Sequence, residues 1–322
     1  MATGFLGTAA DSDVSGWDVG NVTNMRKMFY KADAFKGDIS KWDVQKVEDM
    51  NRMFYKATSF KGDVSKWKTS AVTTMYYMFG YLPYFNADLG SKESLWDTSQ
   101  VENMQGLFRS CTSFNQNLSK WDTRAATTMS YMFKGASAFN GDVSGWDTGK
   151  VTTMAHMFAQ TPFNGDVSRW NTGATEYMDA MFSAASSFNG DVSGWDMQAT
   201  WSVKDMFAGA TAFSPTTNDL SKWKFQDGFC KDVCKDAEKC RTLFGLDSAD
   251  SGWNLSDNES KLPCAGVSFL CGGPGEPLCA AVDTKCTTSG VSVTPSDKTR
   301  LASCEFKDCS LQGRSKGYAT CS

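Results

Sequence analysis

Aspartate is the residue whose recurrence first raises a question of chemistry. Asp38, Asp63, Asp88, Asp142, Asp166 and Asp191 return at a near-constant interval, and Asp43, Asp97, Asp122, Asp147 and Asp196 form a second series. Carboxylates stacked at the spacing of neighbouring strands, about 5 Å, can hold calcium, which takes oxygen ligands. The competing role is local: aspartate accepts backbone N–H bonds and so fixes a turn or a helix start. A dedicated calcium loop carries closely spaced Asp-x-Asp ligands. Neither series has them. The turn role is the favoured expectation.

Other reactive groups are scarce. The chain has a single histidine, His156. One imidazole leaves no choice of base for a Ser-His-Asp arrangement and rules out a multi-histidine metal site. No phosphate-binding glycine loop, zinc knuckle or Gly-x-Ser-x-Gly elbow is present. Carboxylate pairs abound in any repeat that contains aspartate, so they do not indicate a glycosidase. The expectation is a protein that is not an enzyme, with no catalytic, cofactor-binding or metal-ligating residue and no cofactor.

Cysteine is the other chemistry-bearing type. Ten of the 11 cysteines fall late in the chain: Cys230, Cys234, Cys240, Cys264, Cys271, Cys279, Cys286, Cys304, Cys309 and Cys321. An even number in a Gly/Pro/Ser-rich stretch with few large apolar residues reads as a disulfide-stapled module, whose pairing the sequence does not give. Cys111 instead stands where Ala32, Ala57 and Ala136 recur, so it is expected to be a small buried side chain with a free thiol. Four Asn-x-Ser/Thr sequons, at Asn21, Asn117, Asn254 and Asn258, are glycosylation candidates if the chain passes through a eukaryotic secretory pathway. Tyr30, Tyr55, Tyr77 and Tyr131, joined by Tyr76, Tyr81 and Tyr84, are candidates for a binding surface, since tyrosine suits interfaces. Solvated tyrosines with no special role are the equal alternative.

These residues are positioned by a repeat. Tryptophans stand at Trp17, Trp42, Trp67, Trp96, Trp121, Trp146, Trp170 and Trp195, with spacings of 25, 25, 29, 25, 25, 24 and 25. A Met-x-x-Met-Phe block begins eight residues after each, as in Met25-Met28-Phe29, Met50-Met53-Phe54 and Met154-Met157-Phe158. Met104-Leu107-Phe108 and Val203-Met206-Phe207 are altered copies, and the long spacing is an insertion around Leu89 to Leu95. Trp223, Trp253 and Cys240-Leu243-Phe244 are decayed remnants. The candidate core is the recurring Met, Phe and Trp set.

Val22, Met25, Met28, Phe29, Ala32 and Phe35 step by three and four, which predicts one face of a short helix. Asp38 to Val44 reads as a short strand. Such a unit cannot close a core alone, but stacked units can. The tyrosines fall between the buried Met/Phe positions and are therefore expected to face outward.

Charge is nearly balanced, at -4 overall, which gives no reason to expect nucleic acid as a partner. It is uneven locally. Residues 1 to 70 hold 11 Lys/Arg against 9 Asp/Glu, net +2, whereas residues 135 to 200 hold 2 against 7, net -5. A solvated surface accounts for this. The sharper reading is that basic first coils meet an acidic glycan or the acidic coils of another molecule. No apolar run is long enough to cross a bilayer, and residues 1 to 10 lack the features of a signal peptide.

The repeat Val-Thr-x-Met-x-x-Met-Phe-x-x-Ala-x-x-Phe-Asn-Gly-Asp-Val-Ser-x-Trp-Asp, over residues 14 to 225, resembles the BspA-like leucine-rich-repeat surface proteins of the DUF285 type. That resemblance implies a leucine-rich-repeat-like solenoid at a cell surface or in the extracellular space, with adhesion as the role. It does not extend to residues 226 to 322.

The expected fold is α/β: a leucine-rich-repeat-like solenoid of about nine 25-residue coils, residues 1–228, followed by a small disulfide-rich module, residues 229–322. The expected function is extracellular adhesion or recognition of a protein or glycan through the solenoid surface. The alternative is a structural subunit of an extracellular assembly, such as a filament, wall or surface appendage, with self-association.

Overall fold

The structure is a computed structural model that describes residues 13–225, 242–246 and 261–262, together with four short strands after residue 285. Residues 13–225 form coils stacked in parallel. Bridges link Asn24 to Asp49, then Thr74, Asn103, Thr128, Thr153, Tyr177 and Ser202, each one coil on. Coils 1 to 8 are numbered here by the first residue of the Met block: Met25, Met50, Met75, Met104, Met129, Met154, Met178 and Val203.

The Met-x-x-Met-Phe blocks are not helical, contrary to the expectation from their spacing. Each is two consecutive turns. Met28 donates its N–H to the Met25 carbonyl at 3.1 Å, and Ala32 to the Phe29 carbonyl at 3.1 Å. The third residue of each turn, Lys27 and Lys31, has φ of 58° and 57°, as a type II turn requires. Alternate N–H groups then point along the stack: Met25, Lys27, Phe29 and Lys31 donate to Asp49, Asn51, Met53 and Tyr55 at 2.7–2.9 Å. Two adjoining four-residue turns place apolar residues at steps of three and four, as a helix does, which is why the pattern misleads. The expected strand over Asp38 to Val44 is a turn as well, with Trp42 N–H on the Ile39 carbonyl at 3.1 Å.

Three aromatic ladders run through the core. Phe29, Phe54, Phe79, Phe108, Phe133, Phe158, Phe182 and Phe207 stack with centroids 5.4–5.8 Å apart. Within each coil a second phenylalanine lies against the first, as Phe35 does on Phe29 at 3.9 Å. Each indole then ties one coil to the last: Trp67 donates to the Ile39 carbonyl at 3.0 Å and Trp146 to the Leu118 carbonyl at 2.8 Å. A buried indole therefore satisfies its one donor while its rings exclude water. Buried threonines act likewise, with Thr98 Oγ1 on the Asp122 carbonyl at 2.9 Å.

Both aspartate series make turns. Asp38, Asp63, Asp142, Asp166 and Asp191 each accept from the N–H two residues on at 2.8–2.9 Å. Asp43, Asp97, Asp122, Asp147 and Asp196 do the same at 2.9–3.2 Å. An asparagine ladder runs beside them: Asn86, Asn115, Asn140 and Asn164 each accept through Oδ1 from the backbone of the next coil at 2.8–3.0 Å.

Phe244 is fully buried and accepts from Phe207 N–H at 2.8 Å, so residues 242–246 extend the stack. Downstream, β1 (Cys286–Thr287), β2 (Gly290–Ser292), β3 (Cys309–Ser310) and β4 (Tyr318–Cys321) form an antiparallel sheet in the order β1-β2-β4-β3. Cys286, Cys309 and Cys321 fall in its strands. Cys230, Cys234, Cys240, Cys264, Cys271, Cys279 and Cys304, and the sequons at Asn254 and Asn258, lie outside the described residues. Among the described residues no helix is long and apolar enough to cross a membrane.

Candidate functional site: a cationic tyrosine face

The turn geometry of the Met blocks builds one outer face. Residues at the left-handed positions cannot point into the core, because the flanking Met and Phe side chains fill it. Lys27, Lys31, Arg52 and Lys56 occupy these positions in coils 1 and 2, and Tyr77 and Tyr81 in coil 3. Tyr30, Tyr55, Arg109 and Lys134 stand between them. The face thus carries tyrosines and cations in alternation along the stack.

The rings pack on one another. Tyr30 stacks on Tyr55 at 5.3 Å, and Tyr81 meets Tyr55 edge-on at 5.3 Å. Every cation lies over a ring. Lys31 Nζ is 5.3 Å from the Tyr30 centroid, Lys56 Nζ 5.1 Å from Tyr81 and Lys134 Nζ 5.5 Å from Tyr131. The Arg52 guanidinium sits 4.8 Å from Tyr76, and that of Arg109 lies 5.1 Å from Tyr131. Such contacts orient a cation without cancelling its charge.

Coil 3 has no cation in its block, but its neighbours lean onto it. Arg52 Nη2 donates to Tyr76 Oη at 3.1 Å from one side, and Arg109 Nη1 to Tyr77 Oη at 2.9 Å from the other. Tyr77 is buried, not outward-facing as the spacing led us to expect, because its ring lies beneath the backbone of Gly106. Burial pushes the Tyr77 and Tyr55 phenols up from their usual range. Burial tells against charge on Arg109, but the bond to Tyr77 and the neighbouring Tyr77, Tyr81 and Tyr131 phenols together outweigh it and hold the guanidinium charged.

Among the described residues none of the six cations is in an ion pair. The three ion pairs among the described residues are Lys92–Glu93, Arg124–Asp122 and Lys222–Asp219, all elsewhere. On the adjoining edge Asp49 is engaged by Asn24 Nδ2 at 3.2 Å and its own turn at 2.8 Å. Glu48 and Glu102 there are exposed and unpaired with the face. The strip ends at His156, whose ring stacks on Tyr131 at 4.7 Å and whose Nδ1 is 3.4 Å from Lys134 Nζ. Burial, followed by the Lys134 charge, lowers the His156 pKa below its ordinary value.

Of the sequence candidates, Tyr30, Tyr55 and Tyr131 are half-buried members of this face, whereas Tyr84 is exposed away from its ring contacts. Cys111 is fully buried with a free thiol that donates to the Phe79 carbonyl at 2.9 Å. Burial pushes that thiol up to about 12. Asn21 and Asn117 are exposed. The sequence shows the cations only as a net basic charge of the first coils, not as individual site residues. Lys27 and Arg52 fall at the x positions of Met-x-x-Met-Phe, and Lys31, Lys56, Arg109 and Lys134 fall one or two residues after its Phe, so a basic residue returning beside the block was the signal.

Fold and face together define a parallel-stacked repeat solenoid with one cationic, aromatic side. The chain belongs to the family described as "Mycoplasma protein of unknown function, DUF285", which matches residues 1–95, 91–162 and 159–242. No curated protein matches it. Among solved structures, a leucine rich cell surface protein from Faecalibacterium prausnitzii A2-165 aligns over 71% of this chain and 80% of that one. The identity is 11% and the TM-score 0.20, a likeness too slight to carry an argument.

Proposed function

We propose that this chain is a non-enzymatic recognition protein of the cell surface or extracellular space. It binds a negatively charged protein or glycan through the cationic tyrosine face. The observation that carries this reading is the set of six cations over five coils, each held on an aromatic ring and none matched by a carboxylate. Pre-ordered side chains lose little entropy on binding, and unpaired cations steer an anionic partner. The cysteine-rich segment, read as a disulfide module, and the sequons support an oxidising, extracellular setting. Lys27, Lys31, Arg52 and Lys56 sit at left-handed positions, where asparagine is tolerated. Changing all four to Asn and screening both proteins against glycan and matrix-protein arrays tests the reading. Loss of the wild-type hits supports it, and full retention by a folded variant overturns it.

A second reading is a structural subunit, favoured by the opposite charge of residues 135 to 200, net -5. Head-to-tail contact between basic and acidic coils generates open filaments. Light scattering of the native protein across a salt range separates the two: a salt-insensitive monomer excludes assembly, and salt-sensitive oligomers support it.

A further inference from the structure

We infer that His156 is a seventh, proton-gated cation of this face: an anionic partner takes up a proton there as it binds, and so is held more tightly as pH falls. This rests on the cationic face as the binding surface and adds the regulation of that same site.

The register of the coils gives His156 its place. One left-handed column of the face runs Lys27, Arg52, Tyr77, Gly106, Tyr131, His156, Ala180 and Asp205, one residue per coil, at φ of 49–63°. It begins with cations, ends on an anion, and His156 stands between. The relation of cation to ring seen along the face is repeated here. The imidazole stacks on Tyr131 at 4.7 Å with 16° between the planes, against 4.8–5.6 Å from ring centroid to charge for the six cations. Tyr131 therefore lies between His156 of coil 6 and the Arg109 guanidinium of coil 4. A proton on the imidazole would complete a cation–π contact already in place.

One bond holds the neutral form. An ammonium only donates, so His156 Nδ1 accepts from Lys134 Nζ at 3.4 Å and the ring proton sits on Nε2. Protonating Nδ1 turns the acceptor into a donor and sets two like charges side by side. Arg109 adds to that repulsion, whereas Asp179 of coil 7 and Asp205 of coil 8 oppose it. Asp179 is partly spent, because its Oδ1 already accepts from Ser202 Oγ and from the Lys204 N–H. An anionic oxygen set between Lys134 Nζ and a protonated Nδ1 accepts from both and removes the repulsion. Binding and protonation then favour one another, and the coupling is reciprocal. It belongs to one residue rather than to net charge. The other six are Lys and Arg, which stay charged through neutral and mildly acidic pH, and the chain has no second histidine.

Calorimetry on the full chain tests this with a dextran sulfate long enough to reach from coil 1 to coil 6, whose sulfate esters stay ionised throughout. Between about pH 7.5 and 5.5, where histidine titrates, we expect affinity to rise about threefold or more. Near pH 6, heats in two buffers of different ionisation enthalpy should report uptake of about half a proton per chain. Saturating dextran sulfate should also raise the NMR titration midpoint of the His156 ring. His156→Asn, confirmed folded by circular dichroism, should lose both the rise and the proton uptake. Lys150→Asn/Arg169→Asn, off the face, should keep both. An equal rise in His156→Asn, or a His156 midpoint that bound dextran sulfate leaves in place, overturns the inference. The cationic face stands in that case if Lys27→Asn/Lys31→Asn/Arg52→Asn/Lys56→Asn still loses binding. A wild-type chain that binds no dextran sulfate at either pH overturns both.

Discussion

Arg109 reaches across a coil boundary to donate to the Tyr77 hydroxyl at 2.9 Å, joining two residues 32 positions apart in sequence. The contact ties the cation of coil 4 to the ring that roofs coil 3, so it serves both the stack and the binding face. Tyr77→Phe removes only the hydroxyl and should cost about 1 kcal/mol. Arg109→Gln should cost a similar amount, and the double variant less than their sum, because the two changes remove one shared bond. Denaturant unfolding of the four proteins checks the cycle. Strict additivity would show that the bond contributes nothing.

Gly106 has φ of +63°, and a Cβ there would stand 2.6 Å from the Tyr77 ring. Gly106→Ala therefore meets both backbone strain and a buried side chain that has no room to retreat. The expected loss is about 1–3 kcal/mol, read as a lower denaturation midpoint with an unchanged slope. Gly194 has no atom within 4 Å of such a Cβ, and Gly194→Ala should leave the midpoint where it is.

His156 is the only histidine of the chain, so its ring protons give one clean NMR titration. Burial first, and then the nearby Lys134 charge, lower its pKa from the ordinary value near 6.5. The midpoint should fall below that of an exposed histidine, and Lys134→Gln should move it partway back. The sign for stability follows. The unfolded chain takes up the proton more readily, so the contribution of a neutral His156 is complete above about pH 6.5. It declines as pH falls through that value toward the folded pKa. His156→Asn, tolerated at φ of 58°, should flatten this segment of the stability curve.

The repeat, its register and its buried Met, Phe and Trp positions were all legible in the sequence, because a solenoid repeats its core once per coil and every copy votes on the same positions. The local backbone was not. Met25, Met28, Phe29 and Ala32 carry a helical period, yet Lys27 and Lys31 sit at positive φ, a state that nothing in a lysine side chain announces. Glycine at the same two positions in later coils, Gly106, Gly135 and Gly209, was the signal that could have exposed the turns. The face was half legible: Tyr30 and Tyr55 stood out as a column. Their cations did not, because Lys and Arg at exposed positions are ordinary until geometry shows them laid over rings and, among the described residues, outside any ion pair. Tyr77 failed for a related reason, since whether it is open or roofed depends on a residue one coil away.

Cys111 and the other ten cysteines should separate cleanly by chemistry. The Cys111 thiol is buried, and its pKa is pushed up to about 12, so the native protein should not react there with iodoacetamide at neutral pH. In denaturant without reductant, we expect one carbamidomethyl group per chain, at Cys111, with the remaining ten cysteines paired. Peptide mass spectrometry reads this directly. Additional labelled cysteines would remove the case for a fully stapled C-terminal module, and with it part of the support for an extracellular setting.

The aspartate turns supply the last expectation. Asp166 accepts from the Ser168 N–H at 2.9 Å, and that bond holds its carboxyl below the usual carboxylate range, as the Ser40 N–H does for Asp38. A carboxylate whose pKa is lowered by folding adds stability that is complete above its unfolded value, near 3.9, and is lost as pH falls through the folded one. With several such turns along the stack, acid should unfold the solenoid over a window beginning near pH 4. Asp166→Ala should cost about 1 kcal/mol at neutral pH, as loss of a capping acceptor does. Asp166→Asn keeps the acceptor, as Asn117 and Asn171 already do in their copies of the two turns, and should cost less while narrowing the acid window. The same geometry separates turn from metal site. In each of these turns one carboxylate oxygen is already committed to its own backbone, so millimolar calcium should leave the melting temperature of the wild type unchanged. A rise with calcium that Asp166→Asn abolishes would show that neighbouring turns share an ion through their second oxygens.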